Sequence, residues 1–320
     1  MESWNLGERD EIVPGRRAVR LLGGGRRYEA YLTWDDHLRA LVVVKLLRPD
    51  QVADHDALRG LAGEAALLSQ LAHPLLVRGF GAALDGERPH LVLEFIDGPR
   101  LSTLIRRYGL ALEQLLPLAL NLCAALHYLA RERVVHLDVK PRNVVMGATP
   151  RLIDLSVARR HDQLAGLQGP VGTDAYMAPE QCDPDRFGDI GPPADVWGLG
   201  VTLYEALARA RPFAGGDERF PQLNMAPRPL PDRVPSELAA AVTACLQPRP
   251  VDRPTAGELA DELEPLADAL PPPRLARFRP GGKALLRRLT RDEAFLTATS
   301  QPAHDRRRRF RKTNTGGAVS

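Results

Sequence analysis

The order of its periodic patterns is the feature that most constrains the fold of this chain. Short runs rich in β-branched and apolar residues come first, and longer runs with helical spacing follow. The strand-like runs are 18–22, 28–33, 41–47 and 90–95. The helical runs are 55–72, which lies among the strands, and then 111–132, 194–209, 236–246 and 255–267. This order predicts an α+β fold with two lobes, a small β-rich lobe with one long helix and a larger α-helical lobe.

Charge divides the chain in two. Apolar residues make up 44% and charged residues 26% of the 320 residues, which is typical of a globular protein. Residues 271–320 carry 13 Lys and Arg against 3 Asp and Glu, and they begin with three prolines. We therefore expect an N-terminal extension over 1–16, a folded domain over 17–270, and a basic Pro- and Arg-rich tail over 271–320 that is largely disordered.

Three features favour a cytoplasmic protein without a membrane span. The cysteines at 123, 182 and 245 form neither a metal-ligand spacing nor an even-numbered disulfide framework. The first 17 residues lack the apolar core of a signal peptide. The most apolar stretch, 112–130, is interrupted by polar residues and a proline, so it predicts a buried core helix rather than a membrane span.

The strongest chemical signal is HLDVKPRNVV at 136–145, followed by LIDLS at 152–156. Phosphoryl transfer needs metal ligands, cations for the developing charge and a carboxylate that orients the attacking hydroxyl, and these segments supply all three. Together they resemble the catalytic loop and the metal-binding turn of protein kinases. The wider pattern is most similar to the bacterial eukaryotic-type Ser/Thr protein kinases.

This resemblance implies roles for individual residues. Asp138 would accept or orient the proton of the substrate hydroxyl, and Lys140 would lie over the transferring phosphate. Asn143 and Asp154 would supply oxygen ligands to Mg²⁺, or to Mn²⁺ in its place. A lysine two residues after the aspartate is the Ser/Thr-type pattern. The implied reaction therefore takes ATP and protein substrates that carry serine or threonine.

Three further segments resemble parts of the same family: GTDAYMAPE at 172–180, DVWGLG at 195–200 and DRP at 252–254. They are similar to the substrate-binding end of the activation segment, to the start of the central helix, and to the arginine that pairs with Glu180. Most of these residues would be scaffolding. Thr173 is the exception, because the resemblance implies a hydrogen-bonded cluster of Thr173 with Asp138 and Lys140.

A charged pair is predicted in the smaller lobe. Lys45 ends the β-branched run LVVVK, and Glu64 falls on the apolar stripe of the helix at 55–72. A carboxylate that faces a core is costly unless it is paired, so Lys45 is its natural partner. The resemblance implies that this lysine holds the α- and β-phosphates of ATP.

The nucleotide-covering segment departs from the family pattern. Gly23 and Gly25 keep the first two glycines of G-x-G-x-x-G-x-V, whereas Tyr28 replaces the third glycine and Ala30 replaces the valine. Glycine lets backbone N–H groups approach phosphate closely, so this departure predicts a stiffer loop and a reduced ATP affinity.

The connection between the lobes would bind the adenine. By the resemblance, Glu94, Phe95 and Ile96 present backbone hydrogen-bonding groups to the base, with the Leu93 side chain behind it. The small lobe would then end at about 95 and the large lobe would begin at about 99.

The sequence is also compatible with other functional classes. A pseudokinase, a nucleotide-binding or scaffold module without activity, is suggested by Leu155 and Ser156, which stand where the family has Phe and Gly. A small-molecule phosphotransferase shares the two-lobe plan, but the segment at 173–180 speaks against it. Nucleic-acid binding would rest on the basic tail alone, which has no recognisable fold, so we do not expect it elsewhere.

Leu137 suggests an unusual mode of regulation. It replaces an arginine that many kinases neutralise with a phosphate on the activation loop. Leucine cannot make that ion pair, and the segment 157–172 contains no Ser, Thr or Tyr that could carry the phosphate. The chain is therefore predicted to be a kinase of the non-RD type, without arginine before the catalytic aspartate, that does not depend on activation-loop phosphorylation.

Overall fold

The computed structural model describes residues 1–213 and 218–270; the predicted basic tail lies outside this part. The first lobe contains a six-stranded antiparallel sheet with strand order β1-β2-β3-β4-β6-β5. Its strands are β1 (Glu11–Val13), β2 (Arg16–Gly24), β3 (Tyr28–Asp35), β4 (Ala40–Leu47), β5 (Gly79–Ala83) and β6 (His90–Glu94). One long helix, α1 (His55–Gln70), follows β4, and the side chain of Asp54 caps its first turn by accepting a hydrogen bond from the Ala57 N–H.

Strand β4 explains how the sheet places one charged side chain beside the interlobe cleft. Alternate residues of a strand face opposite sides. Val42, Val44 and Leu46 pack on one side in a core that includes Ile12 and Tyr31. Lys45 points to the other side, with Ala30 opposite it on β3.

The second lobe is helical. Its helices are α2 (Leu101–Arg107), α3 (Leu112–Arg131), α4 (Pro179–Cys182), α5 (Pro184–Phe187), α6 (Pro192–Ala208), α7 (Ser236–Cys245) and α8 (Ala256–Asp268). Two short ribbons pair β7 (Val134–Val135) with β10 (Arg159–Arg160) and β8 (Val144–Met146) with β9 (Pro150–Leu152). The prediction of a bilobal α+β fold is confirmed.

The five helices expected from periodicity are all present, with ends within two residues of the expected ones. Nine shorter or irregular strands and α-helices of the described residues were not predicted, and β1, β5 and α2 are three of them. Strand β1 is only three residues long and lies in the predicted N-terminal extension, and β5 is an exposed, glycine-containing strand without an alternating pattern. Helix α2 spans two turns, which is too short for a clear period.

Helix α3 is the apolar segment at 112–130 that was predicted to be a core helix. Within residues 1–213 and 218–270, it is the one helix long and apolar enough to cross a membrane by length and composition. Nine of its side chains are buried, including Leu122 and Leu129, and they belong to the main core of the molecule. A core helix satisfies the same length and composition criteria, and α3 packs as one.

Candidate active site

A buried lysine on the interior strand β4 lies between two carboxylates. The Nζ atom of Lys45 is 2.7 Å from Oε2 of Glu64 on α1 and 2.8 Å from Oδ1 of Asp154, which follows β9. Glu64 reaches the lysine because it lies on the inward face of α1, together with Leu61 and Leu68. Strand, helix and turn thus place three ionisable groups at one point.

The charges in this cluster support one another. Burial opposes the charge on Lys45, but the two carboxylates outweigh it and hold the pKa of Lys45 above its ordinary value. Burial would also raise the pKa of Asp154, yet the adjacent ammonium lowers the pKa of that carboxyl overall. Lys45 and Asp154 are therefore both charged at neutral pH, and Asp154 faces the cleft between the lobes.

A second cluster surrounds Asp138, in the loop between β7 and β8. Its Oδ2 accepts hydrogen bonds from Lys140 Nζ at 2.6 Å and from Asn143 Nδ2 at 3.0 Å. Its Oδ1 accepts a hydrogen bond from Thr173 Oγ1 at 2.7 Å, and Lys140 Nζ also donates to that Oγ1 at 2.6 Å. Both oxygens of this carboxylate are fixed in direction, and an ammonium group lies beside it.

The loop that carries Asp138 is held in place by hydrogen bonds to the first turn of α6. Asp195 accepts hydrogen bonds from the N–H groups of His136, at 2.7 Å, and Leu137, at 2.8 Å. Leu137 has φ of 64°, which costs energy for a residue with a Cβ, and these bonds maintain that conformation. Gly198 permits the close approach of α6, because a Cβ there would lie 2.8 Å from the carbonyl oxygen of Val139. Burial raises the pKa of Asp195 to about 6, although both N–H bonds oppose this.

The cleft between the lobes has a volume of 490 Å³ and opens onto Lys45 and Asp154. Its apolar lining includes Leu22, Ala30, Val43, Leu93, Val145 and Ile153. Glu94 and Ile96 lie at its back, where the chain passes from one lobe to the other. In the part of the chain that the structure describes, the N–H of Ile96 donates to no backbone acceptor, as a group that binds an aromatic base requires. A cleft of this volume with an apolar lining can hold a flat heterocycle.

The donor set beside the cleft fits a hard divalent cation that also binds phosphate. Asn143 uses its Nδ2 to hold Asp138, which leaves its amide oxygen free as a ligand. Asp154 adds an ionised carboxylate. No three His, Cys, Asp or Glu side chains form a metal cluster within residues 1–213 and 218–270. One or two protein oxygens, completed by phosphate and water, are the usual environment of Mg²⁺.

Comparison with known proteins decides the family. The protein kinase domain family matches residues 17–263. The chain belongs to the protein kinase family. It is 34% identical over 248 residues to the serine/threonine-protein kinase PkaA of Streptomyces coelicolor, covering 72% of this chain and 44% of that protein. It is 30% identical to PknA of Mycobacterium tuberculosis, covering 84% of this chain and 65% of that protein.

A third relative, the serine/threonine-protein kinase PknB of Mycobacterium leprae, is 29% identical over 79% of this chain and 43% of its own length. The chain thus spans between about two fifths and two thirds of the length of these relatives. The predicted resemblance to bacterial eukaryotic-type Ser/Thr kinases is confirmed.

The glycine segment of this kinase differs in shape from the loop expected from the sequence. Gly23 and Gly24 belong to β2, so that only 25–27 connect it to β3. Gly24 and Gly25 line the cleft, whereas Gly23 does not. Arg48 secures the turn by donating to the carbonyl oxygen of Gly25 at 2.8 Å.

The backbone of the turn that carries Asp154 shows whether serine is tolerated at position 156, where the family has glycine. A serine in place of glycine suggested backbone strain, but among the described residues with positive φ it is Asp154, at 69°, and not Ser156, that lies in this turn. The Ser156 side chain instead helps to lower the pKa of the Asp154 carboxyl. Ser156 therefore does not adopt the backbone angles that serine resists, and its replacement of glycine gives no support to a pseudokinase on that ground.

Two glutamines that the sequence did not single out hold the segment that resembles a kinase activation segment. Gln181 donates to the carbonyl oxygens of Leu137, at 3.0 Å, and Val171, at 2.8 Å. Gln222 donates to the carbonyl oxygens of Asp174, at 2.9 Å, and Met177, at 3.0 Å. Both side chains are buried. Glutamine is ordinarily exposed, so the sequence alone does not indicate that these two residues make buried contacts.

Proposed function

We propose that the chain is a Ser/Thr protein kinase that transfers the γ-phosphate of ATP, bound with Mg²⁺, to protein hydroxyl groups. The observation that carries this proposal is the formation of two charged clusters, one at the cleft around Lys45 and one around Asp138 in the loop between β7 and β8. Lys45 is paired with Glu64, and Asp138 is fixed by three donors. The printed names of the relatives support the Ser/Thr class.

Different residues of this chain would bind the phosphates and the metal ion, orient the substrate and accept its proton. Lys45 would hold phosphate oxygens, while Asn143 and Asp154 would hold the metal ion, which neutralises charge on the phosphates when bound. Asp138 would accept the hydroxyl proton, since its carboxylate is held in place by three donors. Lys140 lies 2.6 Å from Asp138 and would neutralise the charge that develops on the transferring group.

The proposal is tested with radiolabelled ATP and a mixture of generic protein substrates. We expect transfer to serine or threonine that stops on chelation of the metal and returns with Mg²⁺. The Asp154→Asn variant should need at least about tenfold more Mg²⁺ for half-maximal activity, because it loses an anionic ligand. Phosphotyrosine as the main product, or transfer that is indifferent to chelation, would contradict the proposal.

We further infer that this kinase is of the non-RD type and is active without phosphate on its activation segment. Leu137 is buried and makes only backbone hydrogen bonds, to Asp195 and Gln181. Gln181 and Gln222 hold the segment through neutral hydrogen bonds, which do not require a phosphate. Thr173, which a kinase could use as a phosphate acceptor, is occupied by its bonds to Asp138 and Lys140.

Phosphatase treatment tests this inference. Protein shown by mass spectrometry to be unmodified over 157–176 is expected to keep at least about half the activity of mock-treated protein, because no ion pair in the segment depends on phosphate. If the treated enzyme loses its activity, and regains it when a phosphate is restored within this segment, the inference fails.

A further inference from the structure

Tyr28 projects into the cleft at the position where the family pattern has its third glycine. It opens β3 and pairs with Leu47, two positions from the pairing of Ala30 with Lys45. Residues two apart on a strand share a face, so the Tyr28 side chain lies on the same side of the sheet as Lys45. It lines the cleft and is partly buried.

The side chain of Tyr28 joins the sheet to α1. Its hydroxyl donates to the carbonyl oxygen of Ala57, in the first turn of α1, at 3.3 Å. The ammonium of Lys45 lies 4.8 Å from the centre of its ring, within the range of a cation–π interaction. One aromatic ring therefore contacts both the lysine of the Lys45–Glu64 pair and the helix that carries the glutamate.

A glycine in α1 makes room for this contact. At Gly60, a Cβ would lie 3.1 Å from the Tyr28 hydroxyl oxygen. At Gly63, a Cβ would have no atom of the residues that the structure describes within 4 Å. Glycine weakens a helix interior relative to alanine, so Gly60 is better explained by the approach of the tyrosine than by the needs of the helix.

We infer that Tyr28 is a positioning residue that holds α1 against the sheet and so keeps the Lys45–Glu64 pair formed without a phosphorylated activation segment. The inference rests on the proposed kinase function, whose regulation it specifies. A rival reading is that the ring obstructs the phosphate site. The two readings predict opposite effects on nucleotide affinity when the ring is removed.

The decisive comparison uses Tyr28→Gly, which supplies the glycine of the family pattern, and Tyr28→Phe, which keeps the ring but lacks the hydroxyl. We expect Tyr28→Gly to bind a non-hydrolysable ATP analogue with Mg²⁺ about tenfold more weakly, because fewer molecules have the pair formed. Its affinity for adenosine, which has no phosphates, should be unchanged. Tyr28→Phe should retain most of the analogue affinity, since the ring still covers Lys45.

Hydrogen exchange reports on α1 without any turnover. The amides of 58–64 are expected to exchange faster in Tyr28→Gly than in the wild type. Gly60→Ala should also speed exchange and weaken analogue binding, because its Cβ displaces the hydroxyl. Gly63→Ala, the same substitution one turn along, should do neither. In the Tyr28→Gly background the effect of Gly60→Ala should disappear.

Tighter analogue binding by Tyr28→Gly would overturn the inference in favour of an obstructing ring. Unchanged exchange in α1, or equal effects of Gly60→Ala and Gly63→Ala, would overturn it as well. Analogue binding and exchange are measured without catalysis. If the chain shows the expected differences in analogue binding and exchange but transfers no phosphate, the proposed function is wrong and the inferred role of Tyr28 stands.

Discussion

Replacing Asp138 by asparagine is expected to lower kcat by about 10²–10⁴, the usual contribution of a positioned general base. The amide cannot accept the hydroxyl proton. It also brings an NH₂ group towards the donors that converge on the carboxylate, Lys140, Asn143 and Thr173. Nucleotide affinity should change little, because Asp138 does not line the cleft that would hold the nucleotide.

Single-turnover transfer of radiolabelled phosphate measures this effect, with binding of the ATP analogue as a parallel readout. Asp36→Asn is the matched control, since Asp36 is a surface carboxylate in the turn between β3 and β4, paired with Arg17. The control should alter kcat less than about twofold, as surface substitutions usually do. A kcat of Asp138→Asn within tenfold of the wild type would exclude Asp138 as the base.

The parts of this site that could be predicted from the sequence are those with a local pattern. The position of Glu64 on the inward face of α1 follows from a helical period, and the direction of Lys45 follows from strand alternation. Both side chains belong to long, regular elements. Their partnership then follows from the cost of burying either charge alone.

The contacts that could not be predicted join residues far apart in the chain through single polar atoms. Gln181 and Gln222 are fixed by backbone carbonyls of distant loops, and no period in the sequence marks such a contact. Tyr28 was interpreted only as the loss of a glycine, because its contact with Ala57 depends on how closely α1 approaches β3. The suggestion of a pseudokinase from Ser156 could not be judged from the sequence, because only the structure shows that the left-handed conformation falls on Asp154, two residues earlier.

The buried lysine gives the second large effect. Lys45→Met is expected to lower kcat/KM for ATP by about 10²–10³, a loss typical of removing one electrostatic contact to the reacting group. It also leaves Glu64 without its partner, and removing one member of a buried ion pair costs about 3–5 kcal/mol in the free energy of unfolding. Low activity could then arise from partial unfolding, so a second variant is needed.

Lys45→Met combined with Glu64→Gln separates the two causes. Glutamine is close to isosteric with glutamate and carries no charge, so the double variant should recover most of the lost stability while its activity stays low.

Burial already raises the pKa of Glu64, and loss of the ammonium should raise that pKa further. A carboxyl with a raised folded-state pKa stabilises the fold below its unfolded pKa, and this contribution is lost as pH rises through the folded value. Lys45→Met should therefore lose stability relative to wild type as pH rises above about 4.5, whereas the double variant should not. Urea unfolding at several pH values, together with kcat/KM, gives both readouts. If the double variant regained wild-type kcat/KM, Lys45 would have only a structural role and would not hold phosphate.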